Sequence, residues 1–273
     1  TFMLKKTAFN PSYNSAIIGH HLQVNQVLDA RYQITNIIRD GEQNGIYQAY
    51  DLHTSRMIVI KAIQSQHEAT LLSALSHPVI PTSRGCFTDN EQTYFVRDYI
   101  QGSDLDNIVS QTRTISISRV LAWAIALCDV LQYLHNNDIV FCDVKPANII
   151  IDTNDQVHLI DFDIAKQVNS KSQLITYGTE GYAAPEQYKG QATPQSDIYS
   201  LGATLHHILT RQDPRQSPPF SFFMRPIPAF NNNVPSTLIQ AIEQAVEVNP
   251  MYRFRTCTEM KHALTNIPYN ITR

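Results

Sequence analysis

The pattern of apolar and polar positions changes near residue 100. Before that point, the segments 31–38, 45–51 and 57–63 alternate or run apolar, which is typical of β-strands. Two further strands are predicted near 83–88 and 93–99. The first part of the chain therefore predicts a five-stranded sheet.

Helical periodicity marks one segment among these strands and several segments after them. In 67–78, three leucines fall on one face and a proline ends the pattern. The long segment 118–137 repeats apolar residues with the helical period. Further helices are predicted at 196–210, 236–248 and 256–265. The Pro-rich segment 213–235 is predicted to be a long loop.

The composition is that of a globular protein. The chain has 273 residues, of which 43% are hydrophobic and 16% charged, and this length allows one large domain or two lobes. A net charge of −3 gives no overall attraction to nucleic acid or anionic lipid, so neither partner is expected. The four cysteines form no Cys-x-x-Cys pair, which favours the reducing cytoplasm. No membrane segment is expected, because no apolar run approaches the roughly 18–20 residues of a span.

The segment FCDVKPANIIIDTNDQVHLIDFD (141–163) carries the strongest chemical signal. It contains Asp143, Lys145, Asn148 and Asp161. Phosphoryl transfer needs a carboxylate that orients the attacking hydroxyl, a cation beside the transferred group and oxygen ligands for Mg²⁺. These four residues supply that set. The structural alternative is an Asx-rich hairpin whose polar side chains cap turns.

Motifs on both sides of this segment extend the pattern. Upstream, VIK places Lys61 on the third predicted strand, and GTEGYAAPEQY (178–188) and SDIYSLGATL (196–205) lie downstream. Together these motifs resemble the protein kinase family, and most closely the bacterial Ser/Thr kinases. The resemblance covers nearly everything from about Arg31 to Leu264.

This resemblance implies an α+β, bilobal protein kinase fold. The small N-lobe would hold a five-stranded antiparallel sheet and one helix, and the larger C-lobe would be mainly helical. The expected divisions are an N-terminal extension at 1–30, the N-lobe at 31–100, the C-lobe at 101–268 and a tail at 269–273.

The resemblance also implies roles in catalysis with ATP and Mg²⁺ or Mn²⁺ as cofactors. Asp143 would act as the base or orient the acceptor hydroxyl, and Lys145 would contact the γ-phosphate. Asn148 and Asp161 would bind the metal ion.

In the small lobe, Lys61 would bind the α- and β-phosphates, and Glu68 would hold Lys61 through an ion pair. The other nucleotide-binding positions that the resemblance implies are Gly41, Asn44, Ile46, Asp98, Ile100 and Ile150.

Other matched positions have supporting roles. Asp197 would anchor the backbone of the catalytic loop, and Glu186 would pair with Arg253. Thr179 is placed to touch both Asp143 and Lys145, which points to serine or threonine acceptors.

Several positions depart from the family pattern. The three glycine positions of the phosphate-binding loop are Arg39, Gly41 and Asn44, so one glycine remains in register. Cys142 replaces the arginine that binds an activation-loop phosphate, and a thiol cannot form that charge-assisted bond. Asp163 replaces the glycine of Asp-Phe-Gly and adds a carboxylate beside Asp161.

Arg97 occupies the position that gates the back of the adenine pocket, where a cation is unusual. Two functions therefore stay open: a Ser/Thr protein kinase, or a pseudokinase that serves as a nucleotide-binding or scaffolding module without turnover. Its partner would be a protein substrate or a regulatory protein. A small-molecule kinase is a distant third, because GTEGY and APEQY imply a peptide-binding ledge.

Overall fold

The computed structural model describes residues 22–41, 44–168, 178–216 and 220–268. Most of the predicted extension and the whole predicted tail lie outside these residues. The chain divides into two compact units, of which the first comprises Thr1–Gln64 with Phe87–Tyr94 and the second Ser65–Cys86 with Phe95–Arg273. This division follows packing, and the predicted domain boundaries stay predictions.

The elements described here are numbered in chain order. The strands are β1 (Val27–Leu28), β2 (Tyr32–Arg39), β3 (Ile46–Asp51), β4 (Arg56–Ile63), β5 (Ser83–Asp89), β6 (Gln92–Asp98), β7 (Gly102–Asp104), β8 (Ile139–Val140), β9 (Ile149–Asp152), β10 (Val157–Leu159) and β11 (Lys166–Gln167). The helices are α1 (His67–Ser73), α2 (Leu105–Gln111), α3 (Ile117–Asn136), α4 (Pro194–Thr210), α5 (Ile227–Phe230), α6 (Ser236–Ala245) and α7 (Cys257–Thr265).

The antiparallel sheet with the strand order β1-β2-β3-β4-β6-β5 takes β1–β4 and the adjoining ends of β5 and β6 from the first unit. This sheet has one strand more than predicted, because Val27 and Leu28 pair with Gln33 and Tyr32. Alternate residues of β3 are buried, as expected for a strand with one face on a core. The five strands predicted from the sequence correspond to β2–β6.

The second unit is built around α3, which packs against α4 and α7. Ten of the twenty residues of α3 are buried, and they follow the helical period. By length and hydropathy alone α3 could cross a membrane, but more than half of it is buried inside the unit. The helix therefore occupies the position of a core helix.

Helix α4 is buried along most of its length and positions the site described below. Its Gly202 allows α6 to approach closely, because a Cβ at this position would lie 2.7 Å from the Cβ of Ala245. A larger residue at position 202 would separate the two helices.

Three helical segments differ from the sequence-based prediction. Helix α1 ends at Ser73, because the N–H groups of Ala74 and Leu75 bond three residues back and tighten the chain. Helix α2 was not predicted; the Asp104 side chain caps it by accepting from the N–H of Asn107. The prediction of a continuous loop at 213–235 was wrong, because α5 forms within it. The α+β bilobal protein kinase fold itself is confirmed.

Candidate active site

The loop at 141–145 is fixed through its backbone. The buried carboxylate of Asp197, on α4, accepts hydrogen bonds from the N–H groups of Phe141 and Cys142, each at 2.8 Å. Cys142 has a φ of 68°, in the left-handed region. The predicted anchoring role of Asp197 is confirmed.

Two further anchors were missed by the sequence analysis. The buried Gln187 side chain donates to the carbonyl of Cys142 at 2.9 Å, and the Thr204 hydroxyl donates to the carbonyl of Val144 at 3.2 Å. Nothing in the local sequence marked Gln187, since a polar residue between turns is usually solvated. The two side chains satisfy carbonyls that would otherwise be buried without partners.

The side chains of Asp143, Lys145, Asn148 and Thr179 form one hydrogen-bonded network. One carboxylate oxygen of Asp143 accepts from the Lys145 ammonium at 2.6 Å and from the Asn148 amide at 2.8 Å. Its other oxygen accepts from the Thr179 hydroxyl at 2.6 Å. Lys145 also donates to the Thr179 oxygen at 2.7 Å. The predicted contact of Thr179 with both charged residues is thus confirmed.

A short backbone stretch after β10 positions Asp161 and its neighbours. Asp161 has a φ of 70°, and the buried ring of Phe162 packs edge-to-face on Phe141 at a centroid distance of 5.0 Å. The N–H of Phe162 donates to the buried carboxylate of Glu68 at 3.1 Å. Helix α1 is therefore linked to the segment that carries Asp161.

Asp161 lies in a cluster of three carboxylates, and Arg97 is close to all three. Oxygens of Glu68, Asp161 and Asp163 all lie within 4.8 Å of one another. Arg97, on β6, is only 6% exposed. Burial lowers the pKa of its guanidinium, while the charges of the three carboxylates act in the opposite direction. The substitution that the sequence identified as unusual thus adds a buried cation beside the predicted metal ligand.

The first unit contains four of the predicted nucleotide-binding residues: Lys61, Ile46, Gly41 and Asn44. Lys61 is buried on β4 and lies directly opposite Ile46 of β3. Asn44 is the position that matches the last glycine of the family's loop, but the tight packing falls on Gly45. A Cβ on Gly45 would overlap the Tyr47 ring, so only glycine fits there.

The other predicted nucleotide-binding residues, Asp98, Ile100 and Ile150, belong to the second unit. The Asp98 carboxylate pairs with Arg84 through two hydrogen bonds of 2.7 and 2.9 Å. Ile150 lies on β9, opposite His158 of β10, and is half-buried like Ile100. The N–H of Asp98 donates to the carbonyl of Thr82 at 3.0 Å, so its carboxylate and its N–H are both bonded within the protein.

An ion pair holds the segment around the APEQY string. Arg253 donates to the two carboxylate oxygens of Glu186 at 2.7 and 2.9 Å, and its own side chain is fully buried. Burial raises the pKa of Glu186, but the hydrogen bonds from Arg253 and Ser196 outweigh it and leave that pKa below its ordinary value. The predicted pair is confirmed.

The fold and this arrangement of side chains define a protein kinase domain. The family description "Protein kinase domain" matches residues 32–264, and the chain belongs to this family. The chain is 29% identical over 272 residues to the serine/threonine-protein kinase PknB of Mycolicibacterium smegmatis, an alignment that covers 89% of this chain and 44% of that protein. It is 31% identical over 272 residues to the serine/threonine-protein kinase PknA of Nostoc, with 88% and 48% covered.

A probable serine/threonine-protein kinase of Streptomyces coelicolor is 28% identical over 264 residues, with 86% of this chain and 39% of that protein covered. The chain therefore spans less than half the length of these relatives. The comparisons confirm the resemblance to bacterial Ser/Thr protein kinases.

Proposed function

We propose that this chain is a Ser/Thr protein kinase that transfers the γ-phosphate of Mg-ATP to a protein hydroxyl. The observation that carries the proposal is the network in which Asp143 contacts Lys145, Asn148 and Thr179. In it, one carboxylate is held rigidly while an ammonium lies 2.6 Å away, where it could meet the transferred phosphoryl group. Asp143 would orient the acceptor hydroxyl and take its proton.

The donor atoms available at this site suit Mg²⁺ or Mn²⁺. The amide nitrogen of Asn148 is bonded to Asp143, which leaves its amide oxygen as the ligand atom. Asp161 would supply a carboxylate oxygen, and hard cations prefer such oxygen ligands. When bound, the ion would neutralise charge on the phosphates.

For the nucleotide itself, Lys61 would contact the α- and β-phosphates, with Glu68 as its partner. The remaining contacts would come from Gly41, Asn44, Ile46, Asp98, Ile100 and Ile150. A cytoplasmic location is part of the proposal, and the four free cysteines support it because a reducing compartment keeps thiols unpaired. The partners would be ATP and a substrate or regulatory protein.

A pseudokinase is the second candidate, and one observation favours it. Arg97 is buried beside Glu68 and Asp161, the two carboxylates that turnover would need for Lys61 and for the metal ion. A nucleotide-binding or scaffolding module would tolerate this competition better than an enzyme.

The test is the incorporation of labelled phosphate from Mg-ATP or Mn-ATP into a protein substrate by the wild type and by Asp143→Asn, with nucleotide binding measured in parallel. Loss of the general base should lower turnover by about 10²–10⁴-fold and leave nucleotide binding near the wild-type level. Asp129→Asn is the matched control, because Asp129 is an exposed partner of Lys261.

Equal turnover in Asp143→Asn and the wild type would remove Asp143 from the mechanism. Nucleotide binding without turnover in the wild type would favour the pseudokinase.

A further inference from the structure

Arg97 places a buried positive charge beside Asp161, which is itself the predicted ligand of a metal cation. It lies at the C-terminal end of β6, is 6% exposed, and faces Glu68, Asp161 and Asp163. These carboxylates come from two separate parts of the chain, namely α1 and the segment after β10. A buried guanidinium is stable only where anionic groups compensate for its lost hydration.

The hydrogen bonds of Arg97 are incomplete among the described residues. Its Nε atom is buried and has no hydrogen-bond partner there. A buried N–H without a partner costs free energy. The nearby carboxylate charges compensate for this cost as well as for the lost hydration of the guanidinium.

The same carboxylates have the geometry of a cation site. Their oxygens lie within 4.8 Å of one another, a separation that one divalent ion can bridge. Asp161 is also the predicted ligand of the catalytic metal ion. A divalent cation and the guanidinium would thus both interact with the negative charge of Asp161.

We propose that Arg97 is a built-in counter-ion that competes with the divalent metal ion for Glu68, Asp161 and Asp163, and so sets the metal affinity of the site. Arg97 is a positioning residue in this proposal, because it acts through the carboxylates. The inference rests on the proposed function in taking Asp161 as a metal ligand. It predicts a site in which metal binding requires Arg97 to share or release these carboxylates.

The test measures Mn²⁺ binding directly, without nucleotide and without turnover, from the electron paramagnetic resonance signal of free Mn²⁺. Arg97→Met and Arg97→Gln remove the competing charge, and we expect both to bind Mn²⁺ at least about tenfold more tightly than the wild type. Arg97→Lys keeps the charge and should bind Mn²⁺ as the wild type does. Arg119→Met removes an arginine whose partner is Asp155, and controls for the change in net charge.

A double variant tests whether the increase in Mn²⁺ affinity comes from this carboxylate cluster. Arg97→Met combined with Asp163→Asn should lose most of the tenfold gain, because one carboxylate of the cluster is then neutral. Unchanged Mn²⁺ affinity in the neutral Arg97 variants would overturn the proposal, and so would a gain that survives Asp163→Asn or appears equally in Arg119→Met.

Folding gives a second readout. Replacing Arg97 removes one positive charge beside the three carboxylates, so Mn²⁺ should raise the melting temperature of Arg97→Met and Arg97→Gln more than that of the wild type. If both variants fold poorly without metal, Mn²⁺ must restore them, and failure to do so would also overturn the proposal. Because neither readout involves phosphate transfer, an inactive wild type would contradict the proposed kinase activity and leave this test intact.

Discussion

The main chain of Cys142 is held by hydrogen bonds that do not involve its side chain. Its N–H is bound by Asp197 and its carbonyl by Gln187, so both main-chain groups are satisfied without help from the side chain. The thiol is buried and contacts the carbonyl of Val140 at 3.5 Å. The position can therefore carry a thiol in place of the arginine that the kinase pattern implies, while the backbone beside Asp143 stays bonded.

Because the arginine is missing, catalytic activity should not depend on phosphorylation of the segment that contains Ser170, Ser172, Thr176 and Thr179. A buried thiol cannot bind a phosphate, and the Thr179 hydroxyl is already bonded to Asp143 and Lys145. The other candidate acceptors, Ser170, Ser172 and Thr176, lie outside the described residues. The rate of phosphate transfer should be the same within about twofold before and after phosphatase treatment, with phosphorylation monitored by mass spectrometry.

A large drop in rate after phosphatase treatment would contradict this prediction. It would imply that another cation, such as Lys166 or Lys171, binds the phosphate in place of the missing arginine.

The sequence predicts the network around Asp143 better than it predicts the supports of that network. The resemblance to the kinase family implies that Asp143, Lys145 and Thr179 lie together, and the structure brings them into contact. The roles of Gln187 and Gly45 were not predicted, since each depends on a contact with a residue distant in sequence or on the space left by a ring. Such positions carry no local pattern.

Among the larger elements, Arg253 joins several segments that are far apart in sequence. Besides Glu186, its guanidinium donates to the carbonyls of Gln195, Glu247 and Val248 at 2.7–3.1 Å. These carbonyls lie at the start of α4 and beyond the end of α6. One buried side chain thus fastens two helices to the segment that follows Thr179.

Breaking this ion pair should be costly. Glu186→Gln leaves the buried Arg253 charge without its carboxylate, and we expect the free energy of unfolding to fall by about 3–5 kcal/mol. Urea denaturation followed by circular dichroism measures the change. The matched control is Asp129→Asn, which breaks the exposed pair with Lys261 and should cost at most about 1 kcal/mol.

A loss below about 1 kcal/mol in Glu186→Gln would show that hydrogen bonds to the carbonyls suffice to hold Arg253. The pair would then have no structural role beyond that of an exposed one.

Periodicity predicted the long helices and the existence of α1, but it missed α2 and α5. The segments 118–137 and 196–210 each bury many apolar residues, so their pattern is clear, and the structure places α3 and α4 within two residues of the predicted bounds. Helices α2 and α5 have one or two turns, too few for a period to be distinguished from a loop. Their ends depend on caps and prolines instead.

For the protein as a whole, buried histidines should make the free energy of unfolding depend on pH. His206 lies inside the second unit, where its ring nitrogen donates to the carbonyl of Arg225 at 2.8 Å and its ring makes T-shaped contacts with Phe220 and Phe222. Burial lowers the pKa of His206 to about 4, more than the hydrogen bond to the carbonyl raises it. Folding thus requires the neutral form of His206.

The sign of the pH dependence follows from this shift. The pKa of His206 is about 4 in the folded protein and near 6.5 in the unfolded chain, so the unfolded chain binds more protons between these values. The stabilisation should be complete above about pH 6.5 and should be lost as the pH falls toward 4, by as much as about 3 kcal/mol. His207 has a lowered pKa as well and should add to the same trend.

The experiment compares urea midpoints between pH 7.5 and 4.5 for the wild type, His206→Gln and His262→Gln. The glutamine at position 206 keeps a donor for the Arg225 carbonyl but does not titrate, so its midpoint should fall less steeply with decreasing pH. His262 is exposed on α7, and its replacement should leave the wild-type slope unchanged. If the slope in His206→Gln equals that of the wild type, His206 is not the group that titrates, and the acid sensitivity belongs to His207 or to paired carboxylates such as Glu186.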